Sequence, residues 1–183
     1  MSKKNDFAIG NGVLVIYNGT DSHVTIPDGV TTIGDTVFYK RTFLESVTIG
    51  DGVTTIGNGA FAYCQSLQSV TIPDSVTAME GFAFTYCTSL QSVIISNNVT
   101  TIGKYTFAYC QSLQSVTIPD GVTTIENDAF AYCTSLRSIT IPAATTELGE
   151  RVFDACPNLT IHAPAGSYAE TYAKENNIPF VAI

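Results

Sequence analysis

The sequence predicts a solenoid, a β-rich α/β chain whose short strands from successive repeats stack as a parallel sheet, with short helical or irregular segments behind it. Three observations predict it. Residues 61–73, FAYCQSLQSVTIP, return letter for letter at 107–119 and with few changes from Phe84 and Phe130. Apolar residues Val53, Ile56, Ala60, Phe61, Cys64, Leu67, Val70 and Ile72 each have an apolar equivalent 23 residues on, from Val76 and Met79 through to Val93 and Ile95. A fixed apolar skeleton at a period of about 20 to 30 residues marks stacked repeats. Finally, one repeat buries too little to fold alone. About seven large apolar side chains yield ~1.5–3 kcal/mol each, against ~1–2 kcal/mol per residue of backbone entropy. Stacked neighbours share both faces of the core.

Each element follows in turn, and together residues 1–183 read as one solenoid domain. Residues 6–26 are an N-terminal β-hairpin cap. Phe7 and Ile9, then Val13 to Ile16, are strand-like runs around the turn signal Gly10-Asn11-Gly12. Asn18-Gly19 marks a second turn before Val24-Thr25-Ile26. Such a cap covers an end that would otherwise expose core and unpaired backbone. Six repeats fill residues 27–162: copies at 27–49, 50–72, 73–95, 96–118 and 119–141, and a shortened one at 142–162.

Within a repeat, Ser69-Val70-Thr71-Ile72 alternates polar and apolar, as a strand with Val70 and Ile72 inward does. Pro73-Asp74-Ser75, elsewhere Pro-Asp-Gly, is a turn. Val53 to Ile56 suits a second, shorter strand, and residues 58–63 have room for one or two helical turns holding Ala60 and Phe61 inward. Residues 163–183 form a helix–strand cap. Ser167-x-x-Glu170 is a capping box, Tyr168 and Tyr172 share a helix face, Asn176-Asn177 ends the helix, and Phe180 to Ile183 is a closing strand.

Composition excludes several function classes. Apolar residues make up 45% and charged residues only 13%, with 8 basic against 16 acidic residues and a net charge of −8. No Lys/Arg run extends beyond Lys3-Lys4, so no nucleic-acid partner is expected, nor attraction to an anionic membrane. No apolar run reaches the ~20 residues of a membrane-spanning helix. The first twelve residues lack the apolar stretch of a leader peptide, and five cysteines, an odd number, suit a reducing compartment. The expected location is therefore cytoplasmic, or secreted or cell-surface if a leader is missing.

The repeat resembles the BspA-like leucine-rich-repeat family, the 23-residue class. Its small residue and Phe, then Cys and Leu, then a strand ending in Ile-Pro are matched by Ala60-Phe61, Cys64, Leu67 and Val70-Thr71-Ile72-Pro73. Gly12-Val13-Leu14 and Tyr17-Asn18-Gly19 match the start of that family. The usual leucine-rich-repeat Asn after the strand is absent, and a Pro-Asp-Gly or similar turn replaces it, as in this class. The resemblance implies a leucine-rich-repeat solenoid with its parallel sheet on the concave face and short helical or irregular segments on the convex side. It also implies a bacterial or protist binding or adhesion protein, often secreted, and not an enzyme.

Stacking turns each repeat position into a column, and four columns carry candidate function. Cys64, Cys87, Cys110, Cys133 and Cys156, with Arg41 in the first copy, stand at a spacing a disulfide tolerates. Their parallel vectors favour buried hydrophobes instead, and a straight ladder cannot wrap a metal tetrahedrally. The strand's outward stripe is Gln68, Ser69 and Thr71, then Gln91 and Ser92, then Gln114, Ser115 and Thr117, then Arg137, Ser138 and Thr140, broken by Ile94. A regular, weakly charged hydroxyl face suits a protein or glycan ligand, although Thr also simply suits a solvent-facing strand. Tyr63, Tyr86, Tyr109 and Tyr132 form an aromatic column, either a contact surface or rings shielding the convex edge. Asp28, Asp51, Asp74, Asn97 and Asp120 fall where a turn wants Asp, with no second acidic ligand at constant offset for Ca²⁺.

Catalysis lacks parts. His23 and His162 lie in the first and last strands, about 29 Å apart at ~4.8 Å per rung, so they share no site, and without a second His nearby no Ser or Cys has an obvious base. No phosphate loop or zinc spacing occurs. The reading is a non-catalytic binding module without metal or cofactor, monomeric or weakly self-associating, that recognises a protein or glycan on the Ser/Thr/Gln face. The alternative is a self-assembling scaffold joined by its ends or its Tyr column.

Overall fold

A computed structural model describes residues 4–183; Met1, Ser2 and Lys3, on which the reading of the N-terminus partly rests, lie outside the described residues. Strands β1 (Phe7–Gly10) and β2 (Val13–Tyr17) form the antiparallel hairpin expected of the cap. Asn11 and Gly12 between them both take positive φ, which Asn and Gly adopt most readily. Each repeat then supplies two strands. The three-residue type comprises β3 (His23–Thr25), which ends the cap, and from the repeats β5 (Ser46–Thr48), β7 (Ser69–Thr71), β9 (Ser92–Ile94), β11 (Ser115–Thr117) and β13 (Ser138–Thr140). The two-residue type comprises β4 (Thr32–Ile33), β6 (Thr55–Ile56), β8 (Ala78–Met79), β10 (Thr101–Ile102), β12 (Thr124–Ile125) and β14 (Glu147–Leu148). The chain closes with β15 (Thr160–Ala163), helix α1 (Tyr168–Glu175) and β16 (Phe180–Ala182).

Like strands stack in parallel and in register, Ser69 on Ser92 and Val70 on Val93, Thr124 on Glu147 and Ile125 on Leu148. The orders are β3-β5-β7-β9 and β11-β13-β15-β16 on one face, β1-β2-β4-β6-β8 and β10-β12-β14 on another. Strand β2 thus belongs both to the cap hairpin and to the first parallel rung, which is how the cap seals the N-terminal edge. The last repeat is one residue short: Leu136 and Leu159 are 23 apart, but Ser138 pairs with Thr160.

The third face differs from the sequence reading. Residues 58–63 contain no helix; they are consecutive turns. Gly59 and Tyr63 both sit in the left-handed region, at φ 58° and 62°, and this interrupts any run of right-handed residues. The N–H groups of Phe61 and Tyr63 donate forward, to Ala83 O and Thr85 O of the next repeat, both at 2.8 Å. The same forward bonds recur as Phe84 to Thr106 and Tyr86 to Ala108, and as Phe107 to Ala129 and Tyr109 to Ala131. A third inter-repeat ladder therefore replaces the expected helical turns and meets the same backbone hydrogen-bonding requirement.

A single apolar core runs from Leu14 to Ala173. Its axis is a file of rings, Phe7–Tyr17–Phe38–Phe61–Phe84–Phe107–Phe130–Phe153–Tyr172, with successive centroids 4.9–6.0 Å apart. Beside it Cys64, Cys87, Cys110 and Cys133 are fully buried. Each thiol reaches the carbonyl of the Phe 26 residues earlier, Cys87 to Phe61 O at 3.3 Å and Cys133 to Phe107 O at 3.2 Å. The cysteines are free. In the first copy the Arg41 guanidinium takes the thiol's place and donates to Tyr17 O.

The C-terminal cap forms as predicted, with one refinement. Ser167 Oγ accepts from Glu170 N, but Glu170 returns its carboxylate to Gly166 N at 2.6 Å and pairs with Lys174 along the helix. Tyr172 is buried and accepts from Val152 N, whereas Tyr168 on the same helix is exposed. Strand β16 then adds in parallel to β15.

Candidate recognition surfaces

The alternation Ser-Val-Thr places Val47, Val70, Val93 and Val116 in the core and leaves their neighbours outward. Gln68, Ser69, Thr71, Gln91, Ser92, Gln114, Ser115, Thr117 and Arg137 are all exposed, while Ser138 and Thr140 are half-buried near the C-terminal cap. The structure thus brings every residue of the predicted stripe onto one face of the solenoid, in rows set by the parallel register within each of its two sheets. Among the described residues, none of these side chains is spent on a hydrogen bond within the chain. Beside the neighbouring sheet several hydroxyls are used internally: Thr31 donates to Gly12 O, Thr54 to Thr31 O at 3.1 Å and Thr145 to Val122 O at 2.8 Å. Ile94, which breaks the Thr row, is 64% exposed. At the N-terminal end, His23 Nδ1 meets Ser46 Oγ at 2.8 Å and its ring faces Glu45.

The tyrosine column lies on the turn face. Tyr63, Tyr86 and Tyr109 are half-buried and Tyr132 is 40% exposed. Their rings stack nearly parallel at centroid distances of 4.5, 4.1 and 4.6 Å, and Tyr39 closes the N-terminal end edge-on, with Lys40 over its ring. All four stacked tyrosines have φ between 58° and 62°. Burial, then the neighbouring Tyr109 hydroxyl, push the Tyr86 phenol up from its ordinary value. Stacking therefore covers the ring faces and leaves their edges to solvent.

A second left-handed column, four residues earlier in each repeat, escaped the sequence reading because its residue types differ. It runs Thr36, Gly59, Phe82, Tyr105, Asp128, Arg151. Phe82 stacks on Tyr105 at 5.0 Å. Buried Asp128 receives two 3.0 Å hydrogen bonds from Arg151. That guanidinium holds the Asp128 carboxyl below its ordinary value, with Tyr105 adding a smaller push in the same direction.

The cysteines offer little chemistry. Burial pushes the Cys64 thiol up to about 12 and the half-buried Cys156 to about 11, and raises Cys87, Cys110 and Cys133 as well. A thiol held protonated is a poor nucleophile and a poor metal ligand. Among the described residues no group of three or more His, Cys, Asp or Glu side chains is placed to hold a metal ion. No helix among them is long and apolar enough to cross a membrane.

Comparison with known proteins agrees with this geometry. A solved leucine-rich-repeat protein of T. pallidum superposes over all of this chain and 99% of its own, with a TM-score of 0.82 at 23% identity. A leucine-rich cell surface protein of Faecalibacterium prausnitzii A2-165 matches 82% of this chain, with a TM-score of 0.54 at 27% identity, and the match spans 62% of that protein. A leucine-rich-repeat protein of Bacteroides ovatus matches 77% of this chain and 51% of its own, with a TM-score of 0.57 at 22% identity. No curated protein matches. The model of the BspA-type leucine-rich-repeat region matches residues 31–160 in six copies, and the chain belongs to that family.

Proposed function

We propose that this repeat module is a non-catalytic binding protein that holds a protein or glycan partner on its Ser/Thr/Gln sheet face. The observation that carries this reading is the contrast in hydroxyl use. Just before the neighbouring short strands, Thr31, Thr54 and Thr123 donate to backbone carbonyls, whereas Ser69, Thr71, Ser115 and Thr117 keep theirs for solvent. A face with exposed, regularly spaced donors and acceptors on a rigid backbone loses little side-chain entropy on binding, because Ser and Thr have few rotamers to fix. The same lack of charge argues against nucleic acid as the partner. Location on a cell surface, as named for the F. prausnitzii relative, fits such a role.

The test is retention on a glycan array and on immobilised surface proteins of neighbouring cells, wild type against the double variant Thr71→Lys, Thr117→Lys. Capture lost by the variant, with its circular dichroism and melting temperature unchanged, supports the face. Capture retained by the folded variant overturns it.

A second reading, self-assembly through the ends, draws on exposed apolar side chains there: Ile9, Val15 and Ile16 on the N-terminal hairpin, Val181 and Ile183 beside the edge strand β16. Open strand edges with apolar flanks invite pairing. Light scattering over a concentration series separates the two readings, since a strict monomer removes this one.

A further inference from the structure

The solenoid is continuous on one face and interrupted on two. Along the short strands, Thr54 N donates to Thr31 O at 2.8 Å, Thr77 N to Thr54 O at 3.0 Å and Thr123 N to Thr100 O at 2.9 Å. The corresponding bond from Thr100 N to Thr77 O is not made. On the Ser-Val-Thr face, Gln91 N donates to Gln68 O and Arg137 N to Gln114 O, yet Gln114 N makes no such bond to Gln91. Both sheets therefore end between the third and fourth repeats, β8 from β10 and β9 from β11. The ladder thins at one other junction, where β5 and β7 pair only at Ser46 and Ser69, but there the short-strand sheet stays whole.

The turn face crosses the same junction intact, with Phe82 N to Lys104 O, Phe84 N to Thr106 O and Tyr86 N to Ala108 O at 2.8–2.9 Å. Ring spacings give the shape of the gap. Tyr86–Tyr109, across the junction, is the tightest tyrosine pair at 4.1 Å. In the core, Phe84–Phe107 widens to 5.6 Å, against 5.2 and 5.3 Å on either side. On the short-strand face a cleft of about 240 Å³ opens between Thr77–Gly81 and Thr100–Gly103. The junction is thus tightest at the tyrosines, a little wider at the core rings, and without ladder hydrogen bonds at the strands.

Its sequence origin is local. The fourth copy opens with Ser96-Asn97-Asn98 in place of Pro-Asp-Gly. Ser96 Oγ donates to Val76 O and accepts from Asn98 N, and the Asn98 amide donates to Asp74 O at 2.7 Å. Side chains thus tie this turn to the preceding one at their own spacing. Ala78-Met79, standing where four other copies have Thr-Ile, sets a longer, unbranched side chain at the same junction.

We propose that this seam is a hinge, at which the two halves of the solenoid flex about the Tyr86–Tyr109 stack. The forward hydrogen bonds of the turn face are the flexible strap, the two unpaired ladders are the lips, and the Ser96–Val76 and Asn98–Asp74 hydrogen bonds between them are the latch that opening breaks. The hinge stands whether or not the hydroxyl face binds a partner. If it does, a partner that spans Ser92 and Ser115 fixes the hinge angle.

Dipolar EPR on spin-labelled pairs two repeats apart tests this. Cysteines are introduced at exposed Thr77 and Thr123, which span the seam, and as controls at Thr31 and Thr77 or at Thr100 and Thr146, which do not. Cys156→Ser removes the half-buried native thiol, and the four buried cysteines are left in place. The expected result is a broader distance distribution with a longer mean for the spanning pair. Adding Ser96→Pro, Asn97→Asp, Asn98→Gly, Ala78→Thr and Met79→Ile then narrows it to the control width. Equal widths for all three pairs, or a spanning pair that stays broad in the folded repaired variant, overturn the hinge.

Discussion

The buried thiol column predicts that the protein loses stability steeply above about pH 9. Cys64, Cys87, Cys110 and Cys133 are each fully buried, and burial raises every one of their pKa values above the ordinary 9.0, Cys64 to about 12. In the unfolded chain the same thiols ionise near 9.0. Below that value both states hold the proton and the column is silent. Between 9.0 and the folded-state value the native state holds more protons than the unfolded one, so stability falls as pH rises. One pH unit above 9.0 each thiol costs on the order of 1 kcal/mol, and the four together several kcal/mol. That is comparable to the whole stability of a typical domain, ~5–15 kcal/mol. Tyr86 and Tyr172, also raised by burial, act in the same direction from about 10 upward.

The assay is urea unfolding at pH 7, 8, 9 and 10, followed by circular dichroism, with thiolate absorbance of the native protein at each pH. The midpoint should hold between pH 7 and 8 and drop sharply by pH 10, while native thiolate absorbance stays flat. Replacing Cys87 and Cys110 by Ala should lower stability at pH 7 through lost packing and still reduce the pH slope by roughly half. A midpoint unchanged between pH 8 and 10, or thiolate appearing in the native protein at pH 9, refutes the argument.

The acid side has an opposite and smaller counterpart. Arg151 depresses the folded pKa of Asp128, so that pair's contribution is present above the ordinary carboxylate value of 3.8 and is lost as pH falls through the lower folded value; Asp128→Asn should flatten the acid limb of a melting-temperature profile. Phe107→Ala, which opens the ring file between Phe84 and Phe130, should cost about 3–5 kcal/mol by denaturant titration. Gly121→Ala places a Cβ 1.9 Å from Asn97 O, so its backbone must shift; a loss of about 1–3 kcal/mol is expected in the same titration.

The core was legible because burial is periodic. Phe61, Cys64, Leu67, Val70 and Ile72 repeat at a spacing only stacking explains, and all five are buried. Both caps were legible from turn and capping chemistry at Asn11-Gly12 and Ser167-x-x-Glu170. The turn face was not. A left-handed Gly59 is announced by its residue type, but a left-handed Tyr63 is not, since aromatic residues rarely accept that conformation and nothing local marks it. The second left-handed column was hidden for the same reason, its members ranging from Phe82 to Asp128. The hydroxyl stripe was legible as exposure. Its freedom from internal hydrogen bonds was not, because Thr54 and Thr71 look alike in sequence and differ in their place, Thr71 within a strand and Thr54 just before one.

The tyrosine column shows why repetition alone does not identify function. Holding a non-glycine residue left-handed costs about 1–2 kcal/mol at each position, and the column does so at Tyr63, Tyr86, Tyr109 and Tyr132. Stacking returns about 0.5–1.5 kcal/mol for each of the three parallel pairs, so the interior pairs offset their strain and the end of the column does not. Tyr86 stacks on both sides, whereas Tyr132 meets Tyr109 on one side and stands before Ala155 on the other. Tyr132→Asn should therefore leave stability unchanged or raise it slightly, while Tyr86→Asn should lower it by about 1–2 kcal/mol and loosen the junction that the hinge turns on. Equal losses at the two positions would show that the rings contribute as individual buried surfaces and not as a stack.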